Sequence, residues 1–227
     1  MIARSALALL AVAAAFGAGY VLGGRQVAPA VTPLSCTPSA PQIVTAGAEG
    51  PVVLFWGNSL LHDHQWRLGG ATSVNCAVQG LTAAAAAPMV PSLPDVAPDA
   101  IVLAFGSVEL IRAGRGAAMD ANAFAQAVGA NTAALKARWP QAVIVLTSAP
   151  AFADQGVGID PDAAAALNGV LSHLADEGGH SYFEMSALYD ASGRELPGAA
   201  TYDGVHLAGP AYARWEAALE IHLSGIR

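Results

Sequence analysis

From Pro51 onward the chain alternates two kinds of segment, and this alternation restricts its folding options more than any other feature. The runs "VVLFW" (52–56), "TSVNCAV" (72–78), "AIVLAFG" (100–106) and "AVIVLTS" (142–148) are short and apolar without polar interruption. That is the pattern of strands buried on both faces. Between and after them lie longer Ala-rich stretches, Met119 to Arg138, Pro161 to Ala175 and Gly209 to Leu223, which predict helices. Asp160-Pro161 suits a helix start, and Gly209-Pro210 places a proline in a first turn. "SYFEMSA" (181–187) supplies a fifth strand. Strands alternating with helices predict an α/β architecture: a parallel sheet covered by helices on both faces and joined by right-handed crossovers. No internal repeat interrupts it.

The length of 227 residues, 54% hydrophobic and 12% charged, supports one substantial core, here assigned to residues 51–227. A formal charge of -7 with ten scattered Lys and Arg excludes a nucleic-acid groove, which draws on clustered cations. Residues 1–24 read as a membrane anchor or signal peptide: Arg4 is followed by an uncharged run over residues 5–24. A spanning helix needs about 20 apolar residues and a signal core about 7 to 15, which favours the anchor. The Ala and Gly content of the run and the small residues Ala28-Pro29-Ala30 leave cleavage open. The expected location is therefore exported: anchored in the inner membrane and facing the extracytoplasmic space (the periplasm), or secreted if the N-terminus is cleaved. Residues 25–50 are a proline-rich linker, expected to be extended and poorly packed. Cys36 in the linker and Cys76 in the domain are the only cysteines, and they could pair in an oxidising compartment.

In a sheet of this type ligands sit beyond the carboxyl ends of the strands. Ser59 follows the first strand and Gly80 the second; "GSVE" (106–109) follows the third, and "DGVH" (203–206) precedes the last helix. All four segments fall on one rim. A serine hydroxyl needs a base, and the base needs a partner that fixes its tautomer. Asp203 and His206, three residues apart across a turn, can supply both. The backbone N–H groups of Ser59 and Gly80 are candidate donors to a developing oxyanion. Ser59 could also act as a helix cap, a common role for serine. His62 and His64 have no cysteine or carboxylate cluster to complete a metal-ligand set, so neither a metal nor a cofactor is expected. His173, His180 and His222 read as structural, and Trp56, Trp66, Trp139 and Trp215 as core rather than carbohydrate platforms.

Four blocks in this order resemble the SGNH/GDSL hydrolases: "FWGNSL", "VNCAVQG", "PDAIVLAFGSVEL" and "DGVHLAGPAYARW", spanning Pro51 to Trp215. The resemblance implies a three-layer α/β/α sandwich with a five-stranded parallel sheet. It implies Ser59 as nucleophile, His206 as base, Asp203 as the acid orienting it, and Gly80 as an oxyanion donor. Two positions depart from the family pattern. Asn58 stands where the family has Asp, and Val108 stands at the position of the asparagine whose side chain donates to the oxyanion. Loss of one such donor typically costs about 2.7 to 4 kcal/mol of transition-state stabilisation. Glu109 replaces a family aspartate and is expected to stabilise the turn.

The expected function is thus an exported serine ester hydrolase that removes a small acyl group from a carbohydrate or lipid. Its partners would be a small-molecule, lipid or glycan ester and no nucleic acid, with membrane contact through residues 5–24 if these are retained. An O-acyltransferase using the same triad on a cell-envelope glycan, or a non-catalytic binding module with the same fold, are the alternatives.

Overall fold

The structure is a computed structural model that describes residues 43–44, 50–150, 159–190, 196 and 205–226. All of these lie in the compact unit Leu34–Arg227. The anchor or signal segment, most of the linker with Cys36, and Asp203 lie outside the described residues.

Six strands form one sheet: β1 (Ile43–Val44), β2 (Val52–Gly57), β3 (Thr72–Asn75), β4 (Ala100–Ala104), β5 (Val143–Thr147) and β6 (Ser181–Phe183), in the spatial order β1-β3-β2-β4-β5-β6. β2 to β6 are mutually parallel, as the alternation predicts. The sheet extends one strand further than expected. β1, from within the proline-rich segment, pairs antiparallel with β3, Ile43 opposite Val74, and so covers an edge that would otherwise be open. Among the described residues six α-helices accompany the sheet: α1 (Ser59–His62), α2 (Ala83–Ala86), α3 (Ser107–Gly114), α4 (Ala121–Arg138), α5 (Pro161–Gly178) and α6 (Gly209–Gly225).

The strands lack polar alternation because successive residues enter two different cores. Leu54, Trp56, Ile101, Leu103, Ile144 and Leu146 face a cluster completed by α4 and α5 residues such as Val128, Leu135 and Leu167. Val53, Phe55, Val102 and Val145 face the opposite cluster, which contains Leu60 and Leu61 of α1 and Tyr212, Trp215 and Leu219 of α6. Three of the four tryptophans, Trp56, Trp66 and Trp215, are fully buried, as core residues should be.

Local chemistry sets the element boundaries. The Asp120 carboxylate accepts from the Asn122 and Ala123 amides, so α4 begins at Ala121, two residues later than the Ala-rich run suggests. Asp160 caps α5 ahead of Pro161, and Gly179, in the left-handed region at φ 61°, ends it. β3 stops at Asn75, before the end of its apolar run. The Asn75 side chain accepts from the Ala77 amide and donates to the Leu61 and His64 carbonyls, turning the chain. β6 stops at Phe183, and the Met185 amide donates to the Ser148 hydroxyl just before a short 3-10 turn.

The strand order also locates the site. From β2 the chain moves to β3 on one side and then to β4 on the other, so β2 is where the winding changes direction. A crevice forms beyond the carboxyl end of such a strand. Ser59 lies two residues past the end of β2.

Candidate active site

The turn after β2 is built around a close approach of two backbones. Gly57 has φ 153°, and a Cβ there would overlap the Ala104 carbonyl oxygen on β4. That carbonyl accepts from the Asn58 amide at 3.1 Å. The Asn58 side chain then caps α1, its Oδ1 accepting from the Leu60 amide at 3.1 Å. Ser59 is therefore the first residue of the helix and not its cap. Its side chain is largely buried, and its hydroxyl makes no hydrogen bond to any described residue. The neighbouring asparagine has taken the structural task that would otherwise occupy it.

A second turn of similar design follows β4. Gly106 has φ 108°, and α3 begins at Ser107. The two turns are joined by a hydrogen bond of 2.8 Å from Asn58 Nδ2 to Ser107 Oγ. The Glu109 carboxylate accepts from the Gly106 amide at 3.0 Å and from the Ala83 amide of α2 at 2.8 Å, which is the turn-stabilising role expected of it. Val108 is largely buried yet belongs to neither apolar cluster of the described residues.

Gly80 lies on an exposed turn closed by the Leu81 amide on the Val78 carbonyl. Among the described residues, neither the Ser59 nor the Gly80 amide has an acceptor. Both are thus available to a ligand.

These segments meet at a residue that the sequence reading passed over, Asp63. Its amide closes the turn of α1 on the Ser59 carbonyl at 3.0 Å, placing its side chain one helical turn from Ser59 and on the same face. Asp63 Oδ1 contacts His62 Nδ1 at 2.7 Å and accepts from Gln79 Nε2, the neighbour of Gly80, at 3.0 Å. Asp63 Oδ2 lies 3.5 Å from His206 Nε2. Burial pushes the Asp63 carboxyl up, but the hydrogen bonds from His62 and Gln79 and the charges of His206 and His62 outweigh it and hold the group below the usual carboxylate range. The carboxylate is therefore ionised at neutral pH. The fourfold spacing of Ser59 and Asp63 across a predicted helix start was the available signal.

The structure thus brings Ser59, Gly80 and His206 to one rim, while Asp203 lies outside the described residues. His64 is structural, bonded to Glu216 at 3.0 Å and stacked on Tyr212. His222 contacts the Ser181 hydroxyl at 2.7 Å, and burial lowers its pKa. No group of three His, Cys, Asp or Glu among the described residues could hold a metal. Cys76 is disulfide-bonded, and the sequence contains one further cysteine, Cys36. A cavity of about 260 Å³ lies between α4 and α5, lined by Met119, Phe124 and Leu167 among others, and includes none of the candidate catalytic residues.

A serine hydroxyl and two amides without partners among the described residues, with an imidazole on the same rim, are the elements of acyl transfer through a covalent intermediate. The model of the GDSL-like Lipase/Acylhydrolase family matches residues 44–214. The chain belongs to this family and is an SGNH-type carboxylic ester hydrolase. Among solved structures it is similar to a GDSL-like lipase from Bacteroides thetaiotaomicron, with a TM-score of 0.62 and 18% identity over 81% of this chain and 93% of that one. It is also similar to Est24, a carbohydrate acetylesterase from Sinorhizobium meliloti, with a TM-score of 0.61 and 15% identity over 78% and 100% of the two chains. At these identities the likeness establishes the fold. A search of curated proteins finds no match.

Proposed function

We propose that the protein is an exported serine esterase in which Ser59 attacks the ester carbonyl, His206 accepts its proton, and Asp203 orients the imidazole. The observation that carries this reading is the division of labour at the end of β2: Asn58 caps α1, and the Ser59 hydroxyl is left without a partner among the described residues, at the strand where the sheet changes direction. His206, reaching the same rim through Asp63, is the available base. The Ser59 and Gly80 amides would receive the oxyanion, and water activated by His206 would release the acyl group. The substrate proposed is a small acyl ester of a carbohydrate or lipid. The likeness to Est24, a carbohydrate acetylesterase from Sinorhizobium meliloti, supports this choice. Export rests on the basic start and the uncharged run over residues 5–24, which would hold the protein at the membrane or direct its secretion. No helix among the described residues is long and apolar enough to cross a membrane.

Labelling with a fluorophosphonate probe tests the assignment. Wild type should react, and Ser59→Ala and His206→Ala should lose nearly all labelling. Asp203→Asn should lower turnover by roughly ten-thousandfold while leaving the fold intact. Equal labelling of wild type and Ser59→Ala would remove Ser59 from the mechanism.

A further inference from the structure

Asp63 is not needed for the steps above, yet its carboxylate stands beside the nitrogen that the reaction uses. We propose that Asp63 determines specificity for the leaving alcohol: its Oδ2 accepts a hydrogen bond from a second hydroxyl of that alcohol, so the site favours esters of neutral polyols over esters of simple alcohols. This rests on the assignment of Ser59 and His206.

The proton movements define the geometry. As the Ser59 Oγ–carbon bond forms, the serine proton passes to His206 Nε2. As the carbon–oxygen bond of the ester breaks, the same proton passes from Nε2 to the departing oxygen, and the alcohol leaves neutral. The departing oxygen must then lie within about 2.6 to 3.2 Å of Nε2. Asp63 Oδ2 is 3.5 Å from that nitrogen. The departing oxygen and Oδ2 therefore have a common neighbour, and a hydroxyl one carbon away from the departing oxygen comes within reach of the carboxylate.

The occupancy of the two carboxylate oxygens supports the same conclusion. Oδ1 is engaged by His62 and Gln79, which fixes the plane of the group. Oδ2 has only the imidazole contact among the hydrogen bonds and ion pairs described for it. An ionised carboxylate accepts and does not donate. Once Nε2 has given up its proton it presents a lone pair, and nothing remains between it and Oδ2 to hold them together. A hydroxyl of the leaving alcohol supplies the missing donor at the moment the bond breaks. Nε2 is also unprotonated before it takes the serine proton, so the same hydroxyl can bind Oδ2 in the bound ester and contribute to kcat/KM.

The charge balance favours a neutral alcohol. Two imidazoles already flank the carboxylate and can meet its charge, and the side chains of His62, Asp63 and His206 are each about one-third exposed, so the position is open to a ligand. An anionic leaving group would face Asp63 directly.

The test compares kcat/KM of the full-length protein for glyceryl monoacetate, propyl acetate and acetylcholine. Wild type should prefer the glyceryl ester, and in Asp63→Ala that preference over propyl acetate should shrink by about tenfold or more, the effect of losing a hydrogen bond to a charged group. Asp63→Asn, which keeps an acceptor and the side-chain shape, should restore part of the preference and serves as the second variant if Asp63→Ala is unstable. An unchanged glyceryl-to-propyl ratio in both variants overturns the proposal while leaving the triad untouched. Selective loss of acetylcholine turnover also overturns it, since Asp63 would then recognise a cation. If no ester is hydrolysed the catalytic assignment fails separately, and titration with methyl glucoside followed by the imidazole proton resonances still decides. Shifts at His62 and His206 that disappear in Asp63→Ala support a polyol site; absence of shifts in wild type overturns it.

Discussion

The turns after β2 and β4 are variants of one design that have been put to different uses. In each, a glycine with positive φ stands at or just past the end of a strand, and a helix starts within two residues at a serine. The helix after β2 is four residues long and capped by the Asn58 side chain, whereas that after β4 is eight residues long and held by the Glu109 carboxylate, which accepts from the Gly106 amide. The first turn presents the hydroxyl of Ser59, unbonded among the described residues; in the second the corresponding hydroxyl, Ser107, accepts from Asn58, and Val108 follows it. A reactive group needs neighbours that relieve it of structural work. Asn58 does so for Ser59, and Ser107 in turn anchors Asn58.

The two glycines should separate most clearly. At Gly57 a Cβ would meet backbone, the Ala104 carbonyl, which cannot yield without parting β2 from β4. At Gly106 the nearest obstacle is the end of a flexible side chain, Leu167 Cδ2 at 2.5 Å, although its φ of 108° is also unfavourable for alanine. Gly57→Ala should therefore destabilise by more than about 4 kcal/mol or fail to fold, and Gly106→Ala by roughly 1 to 3 kcal/mol. Urea unfolding of the two variants measures both. Equal losses would mean that φ strain, common to both, outweighs the backbone collision.

This asymmetry also shows what the sequence makes legible. The strands, the sheet's parallel sense and the two-faced burial were readable because continuous apolar runs such as "VVLFW" have few other destinations. The position of Ser59 was readable because strand order places it at the crevice. The local hydrogen-bonding choices were not readable: that Asn58 rather than Ser59 caps α1, that the Asn75 side chain ends β3, and that Ile43–Val44 joins the sheet from a proline-rich segment. Each depends on which of several competent polar or β-branched residues finds a partner distant in sequence. Asp63 was missed for a related reason. Its partners Gln79 and His206 lie 16 and 143 residues away, and only the fold brings them to one carboxylate.

A smaller effect is expected where the second turn is held by side chain rather than by backbone approach. Glu109→Gln keeps one acceptor and replaces the other with an amide nitrogen, so either the Gly106 or the Ala83 amide loses its partner. The cost of one unsatisfied donor is about 1 to 3 kcal/mol, reduced where water reaches the group. For a chain of this size each 1 kcal/mol corresponds to a fall in Tm of about 2 to 4 °C. Probe labelling of Ser59 should persist in the variant, because the β2 turn does not use Glu109. A labelling loss that exceeds the unfolded fraction would show that the two turns are mechanically coupled through Asn58 and Ser107.

The smallest change tests whether the second turn can be brought back into the chemistry. Val108 occupies the position at which the family's asparagine donates to the oxyanion, and it packs into neither apolar cluster of the described residues. Val108→Asn would set an N–H beside the Ser59 and Gly80 amides without removing a contact on which either core depends. One such donor is worth at most roughly a thousandfold in rate. The expected gain in kcat/KM on an aryl acetate is far below that, about severalfold, because a grafted amide is not held in the productive geometry by packing. An unchanged or lower kcat/KM in a well-folded variant would mean that Val108 does not face the reacting carbonyl, or that another group already stabilises the charge there.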